Sequence, residues 1–265
     1  MITDRFPSLK GLILDMDGVL WKDAEPIVDF PYVFGRIQQL GLGVVLATNN
    51  ATKQVDEYLE KISKFGVLLA PQQIITSAEV AVDYLRENIA PQATVYVVGT
   101  DSLKRVVASA GYSIAGISDS ESAVAVIVGL DPEISYQKIS NASTLIRNGA
   151  LFVATNPDVT YPTPQGLMPG AGAMVSAIQT ASQTEPIMIG KPLPAIFRTA
   201  LKRLRLQPFE VLGVGDRIET DVLGAQRARC LSGLVLSGVS TREMGEIWRP
   251  SIDIIAEDLT RLLDD

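Results

Sequence analysis

The feature that most restricts the fold is a set of short runs, apolar at every position, that recur between helical patterns. Residues 11–14, 43–47, 187–189, 211–214 and 234–236 are such runs, and all are too short for helices. Apolar residues on both faces mark strands covered on both sides, as in parallel sheets. Between them, Val55, Tyr58, Leu59, Ile62 and Phe65 fall three and four residues apart, the spacing of an amphipathic helix, and Gly66 closes it. Ile196, Phe197, Ala200, Leu201 and Leu204 repeat that spacing, with Pro194 where a first helical turn tolerates proline. Strands and helices alternate rather than segregate, so the expected class is α/β with a Rossmann-like, doubly wound parallel sheet.

The middle third has an alternation of its own: helix 79–86, strand 94–98, helix 102–110, strand 124–128, helix 136–147 and strand 151–154. These can close a separate small sheet. Turn-prone borders at Ile75-Thr76-Ser77 and Ser182-Gln183-Thr184-Glu185-Pro186 frame it. The expected organisation is a core from 1–77 and 183–265, with an α/β domain inserted over 78–182. Pro169-Gly170-Ala171-Gly172-Ala173 resembles part of a dinucleotide loop but lacks the third glycine, and no strand is expected directly before it. It reads as a turn leading into a helix over 174–180.

Composition narrows the chemistry. The 265 residues include no histidine, which removes Ser-His-Asp and Cys-His catalysis, histidine-built zinc sites and phospho-histidine phosphatases. Thirty acidic against 23 basic residues argue against a nucleic-acid partner. Cys230 is the single cysteine, so no internal disulfide forms, and it is expected to be a buried or half-buried thiol. The first ten residues lack the apolar stretch of a signal peptide and no run is long enough to span a membrane; the expectation is a cytoplasmic protein without a membrane partner.

Four of the expected strand ends run into polar turns. Asp15-Met16-Asp17-Gly18 follows the first, Thr48-Asn49-Asn50 the second, Gly190-Lys191-Pro192 the third, and Gly215-Asp216 through Thr220-Asp221 the fourth. Taken singly, each has an ordinary explanation as an acidic turn, a helix cap or an exposed lysine. Ligands of open α/β sheets bind beyond the carboxyl ends of the strands, and together these turns place acids, amides, a hydroxyl and a lysine there. Clustered carboxylates raise one another's pKa unless a divalent cation or a lysine offsets them. The set suits phosphoryl transfer by covalent catalysis on an aspartate.

These four motifs, in this order, resemble those of the haloacid dehalogenase (HAD) superfamily phosphatases. Asp15-Met16-Asp17-Gly18-Val19-Leu20-Trp21 with Thr48-Asn49-Asn50 looks like subclass IIA, the NagD and 4-nitrophenylphosphatase group, whose cap domain is inserted between the second and third motifs. The resemblance implies a Mg²⁺-dependent phosphomonoesterase acting on a small phosphorylated metabolite. Asp15 is then the nucleophile and Asp17 the general acid/base. Mg²⁺ is held by Asp15, the Asp17 backbone carbonyl and Asp216, with Asp221 in the outer shell. Thr48, Asn49, Asn50 and Lys191 bind the phosphoryl oxygens. Tyr161 stands at a substrate-facing position where the pyridoxal-phosphate phosphatases of the group carry histidine, which argues against that specialisation. The resemblance leaves open a homodimer through the cap, and also a phosphotransferase or mutase using the same aspartyl-phosphate.

Overall fold

The computed structural model describes residues 1–116, 122–163 and 166–264. Its strands are β1 (Gly11–Leu14), β2 (Trp21–Lys22), β3 (Glu25–Pro26), β4 (Gly43–Thr48), β5 (Ile74–Thr76), β6 (Thr94–Val98), β7 (Ser113–Ile114) and β8 (Ala125–Val128). They continue with β9 (Leu151–Ala154), β10 (Thr160–Thr163), β11 (Gly166–Pro169), β12 (Ile187–Met188), β13 (Val211–Gly215), β14 (Leu231–Val235) and β15 (Ile254–Ala256). Two compact units result: residues 1–48, 55–75 and 191–265 form the first, and residues 49–54 and 76–190 the second.

The first unit is a six-stranded sheet in the order β15-β14-β13-β1-β4-β5. Its β14–β15, β13–β14, β1–β13 and β1–β4 pairings are all parallel. Leu12, Leu14, Leu46, Leu212 and Val214 face one layer with Phe30, Val33 and Ile37 of the helix Phe30–Gln39. The helix Pro194–Leu204 covers the other face, where the Phe197 ring lies so close to Gly213 and Gly224 that a Cβ there would come within 2.9 and 2.5 Å of it. From β1 the chain moves outward through β4 and β5. It returns to the opposite side of β1 with β13, so the connections diverge between β1 and β13. A crevice opens beyond the carboxyl ends of two such strands.

The second unit carries its own parallel sheet, in the order β12-β9-β8-β6-β7, on a core that includes Tyr96, Val98, Val126, Phe152 and Ile178. The fold class is thus α/β, a doubly wound parallel core with an inserted α/β domain. No helix among the described residues is long and apolar enough to cross a membrane.

Several sequence expectations need correction. The sequence pattern places residues 187–189 among the strands of the core, but Ile187 and Met188 pair with Val153 and Ala154 of the second sheet. The units accordingly divide at 190/191 rather than at 182/183, and residues 49–54 and 76–77 also pack with the second unit. Three-residue apolar runs carry no information about which sheet they join. Of the run at 234–236, Leu234 and Val235 end a strand that begins at Leu231, disguised by Ser232 and Gly233, while β5 and β15, three residues each, are too short to show in the pattern. A strand, β11, does directly precede Gly170. Even so the loop offers no open phosphate cradle. A Cβ at Gly170 would collide with the Asp158 carbonyl and one at Gly172 with the Pro157 carbonyl, and both glycine N–H groups donate to backbone oxygens, of Val159 and Asp158. The helix then starts at Ala171, three residues earlier than expected.

Helix 55–65 is observed as Val55–Lys64. Gly66 takes φ +85° beyond it, and the Val67 N–H bonds back to the Ile62 carbonyl, the closure a glycine at that position permits.

Cys230 is buried, and burial pushes its thiol up to about 12. At pH 8 about one thiol in ten thousand is then ionised, and the thiolate is the reactive form. Ellman's reagent is expected to leave the native protein largely unmodified over minutes and to titrate one thiol promptly in denaturant. Reaction of the native protein at the rate of a free cysteine would contradict this burial.

Candidate active site

The crevice beyond β1 and β13 receives its residues from five loops. After β1 the Asp15 N–H still donates to the Val214 carbonyl, 2.8 Å, so Asp15 is held in line with the sheet. Met16 then turns into the core, and the Met16 carbonyl accepts the Leu20 N–H at 2.8 Å, closing a tight turn. Asp17 emerges exposed at its tip, where its Oδ1 accepts the Trp21 indole N–H at 2.8 Å. Gly18 adopts φ +81°, and a Cβ on it would approach Asp216 Oδ2 to 2.5 Å. Only glycine satisfies both conditions.

After β13, Gly215 and Asp216 lead into a wide helical turn over Ile218–Val222, in which the Arg217 carbonyl accepts from both Asp221 and Val222. Such i→i+5 turns recur at functional sites. Here the turn brings Asp221 back over Gly215, where a Cβ would overlap its carboxyl group. Asp221 Oδ2 accepts the Arg217 N–H at 3.1 Å.

Lys191 joins these ends. Its buried ammonium donates to Asp15 Oδ1 at 2.5 Å, Asp221 Oδ1 at 2.6 Å and the Ala47 carbonyl of β4 at 3.1 Å. Burial alone would lower the lysine pKa, but the two carboxylates outweigh it and raise it above the usual value. The ammonium therefore stays charged. Burial also raises Asp15 well above the ordinary carboxylate range, opposed by Lys191 and reinforced by Asp221 and Asp216. Asp216 rises to about 6 through burial and then Asp221, with the Val239 N–H, Arg217 and Lys191 opposing.

Asp15, Asp216 and Asp221 can each direct a carboxylate oxygen so that the three lie within 4.8 Å of one another. Three carboxylates against one ammonium leave two formal negative charges in a desolvated place, which matches a divalent cation. The donors are all oxygens, the set preferred by hard ions such as Mg²⁺ rather than by thiophilic metals. Among the described residues, no hydrogen-bond donor reaches Asp15 Oδ2 or Asp216 Oδ1, whereas both oxygens of Asp221 are engaged.

A fifth strand end belongs to the site and was not read from the sequence. After β14, the Val239 N–H donates to Asp216 Oδ2 at 2.9 Å, and the Ser240 N–H donates to the Asp216 carbonyl at 3.0 Å. Ser237 Oγ donates to the Gly18 carbonyl at 2.7 Å, and a Cβ on Gly238 would strike Asp216. Its signal was available: Leu234-Val235-Leu236 runs into Ser237-Gly238-Val239-Ser240, the same apolar run and small polar turn as the other four.

Of the residues singled out in the sequence, Asp15, Asp216, Asp221 and Lys191 come together. Thr48 is buried at the end of β4, beside the Tyr58 phenol. The side chains of Asn49 and Asn50 have other partners in the second unit: Asn49 Nδ2 donates to Asp158 Oδ2 at 3.3 Å, and Asn50 Oδ1 accepts from the Thr52 N–H and hydroxyl at 2.8 and 2.7 Å. Asn50 thus acts as the local turn cap that was its ordinary explanation. The Asn49 carbonyl accepts from Ser77 Oγ and Asn156 Nδ2. Tyr161 is half-buried on the β10–β11 hairpin of the second unit, opposite Met168.

Two family models and several relatives match this chain. Residues 12–113 match the haloacid dehalogenase-like hydrolase family and residues 188–262 a HAD-hydrolase-like family. An acid sugar phosphatase of Staphylococcus saprophyticus is 32% identical, over 92% of this chain and 92% of that protein. A glycerol phosphate phosphatase of Mycobacterium tuberculosis, solved in complex with magnesium, superimposes with a TM-score of 0.88 at 33% identity, over 98% of this chain and 78% of that one. NagD of E. coli K-12 superimposes with a TM-score of 0.86 at 30% identity, over 95% and 97%.

The ion cluster makes a stability prediction. Removing one partner of a buried charge cluster costs about 3–5 kcal/mol, because the others stay desolvated and uncompensated. Lys191→Met is expected to lose stability on that scale in urea titrations with chelator present. A variant as stable as the parent would show that the lysine does not hold the carboxylates.

Proposed function

This chain belongs to the haloacid dehalogenase-like hydrolases, in the NagD-like subclass IIA, and is a phosphatase of that family; on this premise we propose that it hydrolyses small phosphomonoesters through an aspartyl-phosphate on Asp15, with Mg²⁺ as cofactor. The observation that carries the reading is the buried cluster of Asp15, Asp216, Asp221 and Lys191 at the divergence of the β1 and β13 connections. Asp15, Asp216 and the Asp17 backbone carbonyl would hold the cation. Asp221, whose oxygens are taken by Lys191 and the Arg217 N–H, suits an outer position. Bound Mg²⁺ supplies charge compensation for the carboxylates and for the phosphoryl oxygens.

In the first step an Asp15 oxygen bonds to phosphorus as the bond to the leaving oxygen breaks. The electron pair stays on that oxygen, which takes a proton from the Asp17 carboxyl group. In the second, water bonds to phosphorus while Asp17 accepts its proton, and the bond from phosphorus to Asp15 breaks to give inorganic phosphate. Both protonation states of Asp17 are thereby restored without imidazole. Lys191 and Thr48 steady the phosphoryl oxygens, and Asn49 and Asn50 follow Thr48 directly in the chain; their contribution is positioning and electrostatic.

Sugar phosphates and glycerol phosphate, named for relatives of this chain, are the substrate class we assign. Selection among them is assigned to the inserted cap, around Tyr161.

A panel of phosphomonoesters with Mg²⁺, ranked by kcat/KM, tests the class. Asp15→Asn is expected to remove turnover of every substrate while leaving circular dichroism unchanged, and EDTA to abolish activity reversibly. Wild-type rates in Asp15→Asn would overturn the nucleophile, and full activity in EDTA would overturn the cation.

A further inference from the structure

We propose that Trp21 is a positioning residue for Asp17: its indole N–H holds one carboxylate oxygen and leaves the other as the single oxygen that carries the transferred proton. The inference rests on the reading of Asp17 as general acid/base and goes beyond it, because that reading leaves open how an exposed carboxylate is aimed.

Asp17 is exposed at the tip of a turn, where a carboxylate samples several rotamers and either oxygen can face the reaction. Among the described residues its one hydrogen-bond donor is Trp21 Nε1, 2.8 Å from Oδ1. Trp21 itself cannot turn away. It is 1% exposed and stacks on Phe30, with ring centroids 6.1 Å apart and planes within 1°, and on Tyr58, at 6.3 Å and 13°. The Lys61 ammonium lies 3.9 Å from its ring centroid and also donates to the Asp23 carbonyl at 2.8 Å. The Trp21 backbone is pinned as well, since its carbonyl accepts the Gly18 N–H at 2.7 Å.

The chemistry of the donor decides the rest. An indole N–H donates and never accepts. The oxygen it binds must therefore act as an acceptor in both protonation states of Asp17. A carbonyl oxygen accepts more strongly than a carboxyl hydroxyl oxygen, so the indole favours the acid form that carries its proton on Oδ2; when Asp17 is the base, Oδ2 receives the proton of water. A rigid aromatic stack thus gives one carboxylate oxygen a fixed bearing, and angular placement of this kind governs the efficiency of proton transfer.

The discriminating measurement is the dependence of kcat/KM on the leaving group, which reports the first, phosphorus–oxygen breaking step. Nitrophenolate departs without a proton, whereas the alkoxide of glycerol phosphate needs one. Trp21→Phe keeps the stacking ring and removes the N–H. Its loss of kcat/KM is expected to be at least about tenfold greater on glycerol phosphate than on p-nitrophenyl phosphate, a part of the 10²–10⁴-fold that general acid catalysis contributes. Loosening of the fold would reduce both substrates by one factor.

Asp17→Asn, measured alongside, separates the two levels of inference. If Asp17→Asn shows the selective loss and Trp21→Phe does not, the positioning role is overturned and the role of Asp17 stands. If Asp17→Asn shows no selectivity, or the wild type hydrolyses neither ester in Mg²⁺, the underlying reading fails and this inference with it. Should Trp21→Phe not fold, site-specific benzothienylalanine at position 21, with sulfur in place of N–H in the same ring shape, replaces it under the same criteria.

Discussion

The ammonium of Lys191, set between Asp15 and Asp221, is the contact around which the first unit is organised. Removing carboxylates from water is costly, and mutual repulsion adds to the cost. Charge alone does not make such a cluster possible. Glycines at 18, 215 and 238 leave room for the Asp216 and Asp221 carboxylates, each at a point where a Cβ would overlap or crowd them. Backbone N–H groups of Val239 and Arg217 then take lone pairs that water has given up. The small residues beside the acids are therefore as much a part of the site as the acids.

Topology explains why the cluster lies where it does. Connections leave β1 on one side and reach β13 on the other, so the loops after these strands diverge and leave a gap between them. The wide turn over Ile218–Val222 brings Asp221 back onto Gly215, where it meets Lys191. On the other flank, the turn that begins at Asp15 buries Met16, Val19 and Leu20 and leaves Asp17 exposed. Asp15 joins the cluster, Met16 anchors in the core, and Asp17 is left for the indole to hold.

The second unit uses glycine for a different purpose. Gly170 and Gly172 stand at a strand-to-helix junction, the setting of many phosphate cradles, yet the space in front of them is taken by the chain's own carbonyls. Close backbone approach, rather than ligand binding, accounts for both residues. Asn49 and Asn156 show the same economy: an amide in a motif associated with phosphate is here bonded to Asp158, and Asn156 secures the Asn49 carbonyl. Amide side chains at loop ends serve backbone and ligand with the same atoms, so their sequence context does not tell the two apart.

The alternating pattern sufficed for the fold class, because strands apolar on both faces have no stable home except between two layers. The helices at Val55–Lys64 and Pro194–Leu204 were legible for a similar reason: their periodicity, the proline and the closing glycine agree. So were Asp15, Asp216, Asp221 and Lys191, whose charges at successive strand ends had no joint explanation other than a shared site. What the sequence could not supply was allegiance and aim. A two-residue strand such as Ile187–Met188 pairs with whichever sheet edge the fold brings near, and that edge belonged to the second sheet. The Ser237–Ser240 loop shares the apolar run and small polar turn of the other strand ends, but its hold on Asp216 runs through backbone N–H groups that every residue but proline possesses, so the sequence does not specify that contact. The indole N–H of Trp21 is visible in the sequence, but its alignment with Asp17 depends on the stacking of Phe30 and Tyr58, contacts that only the folded chain brings about.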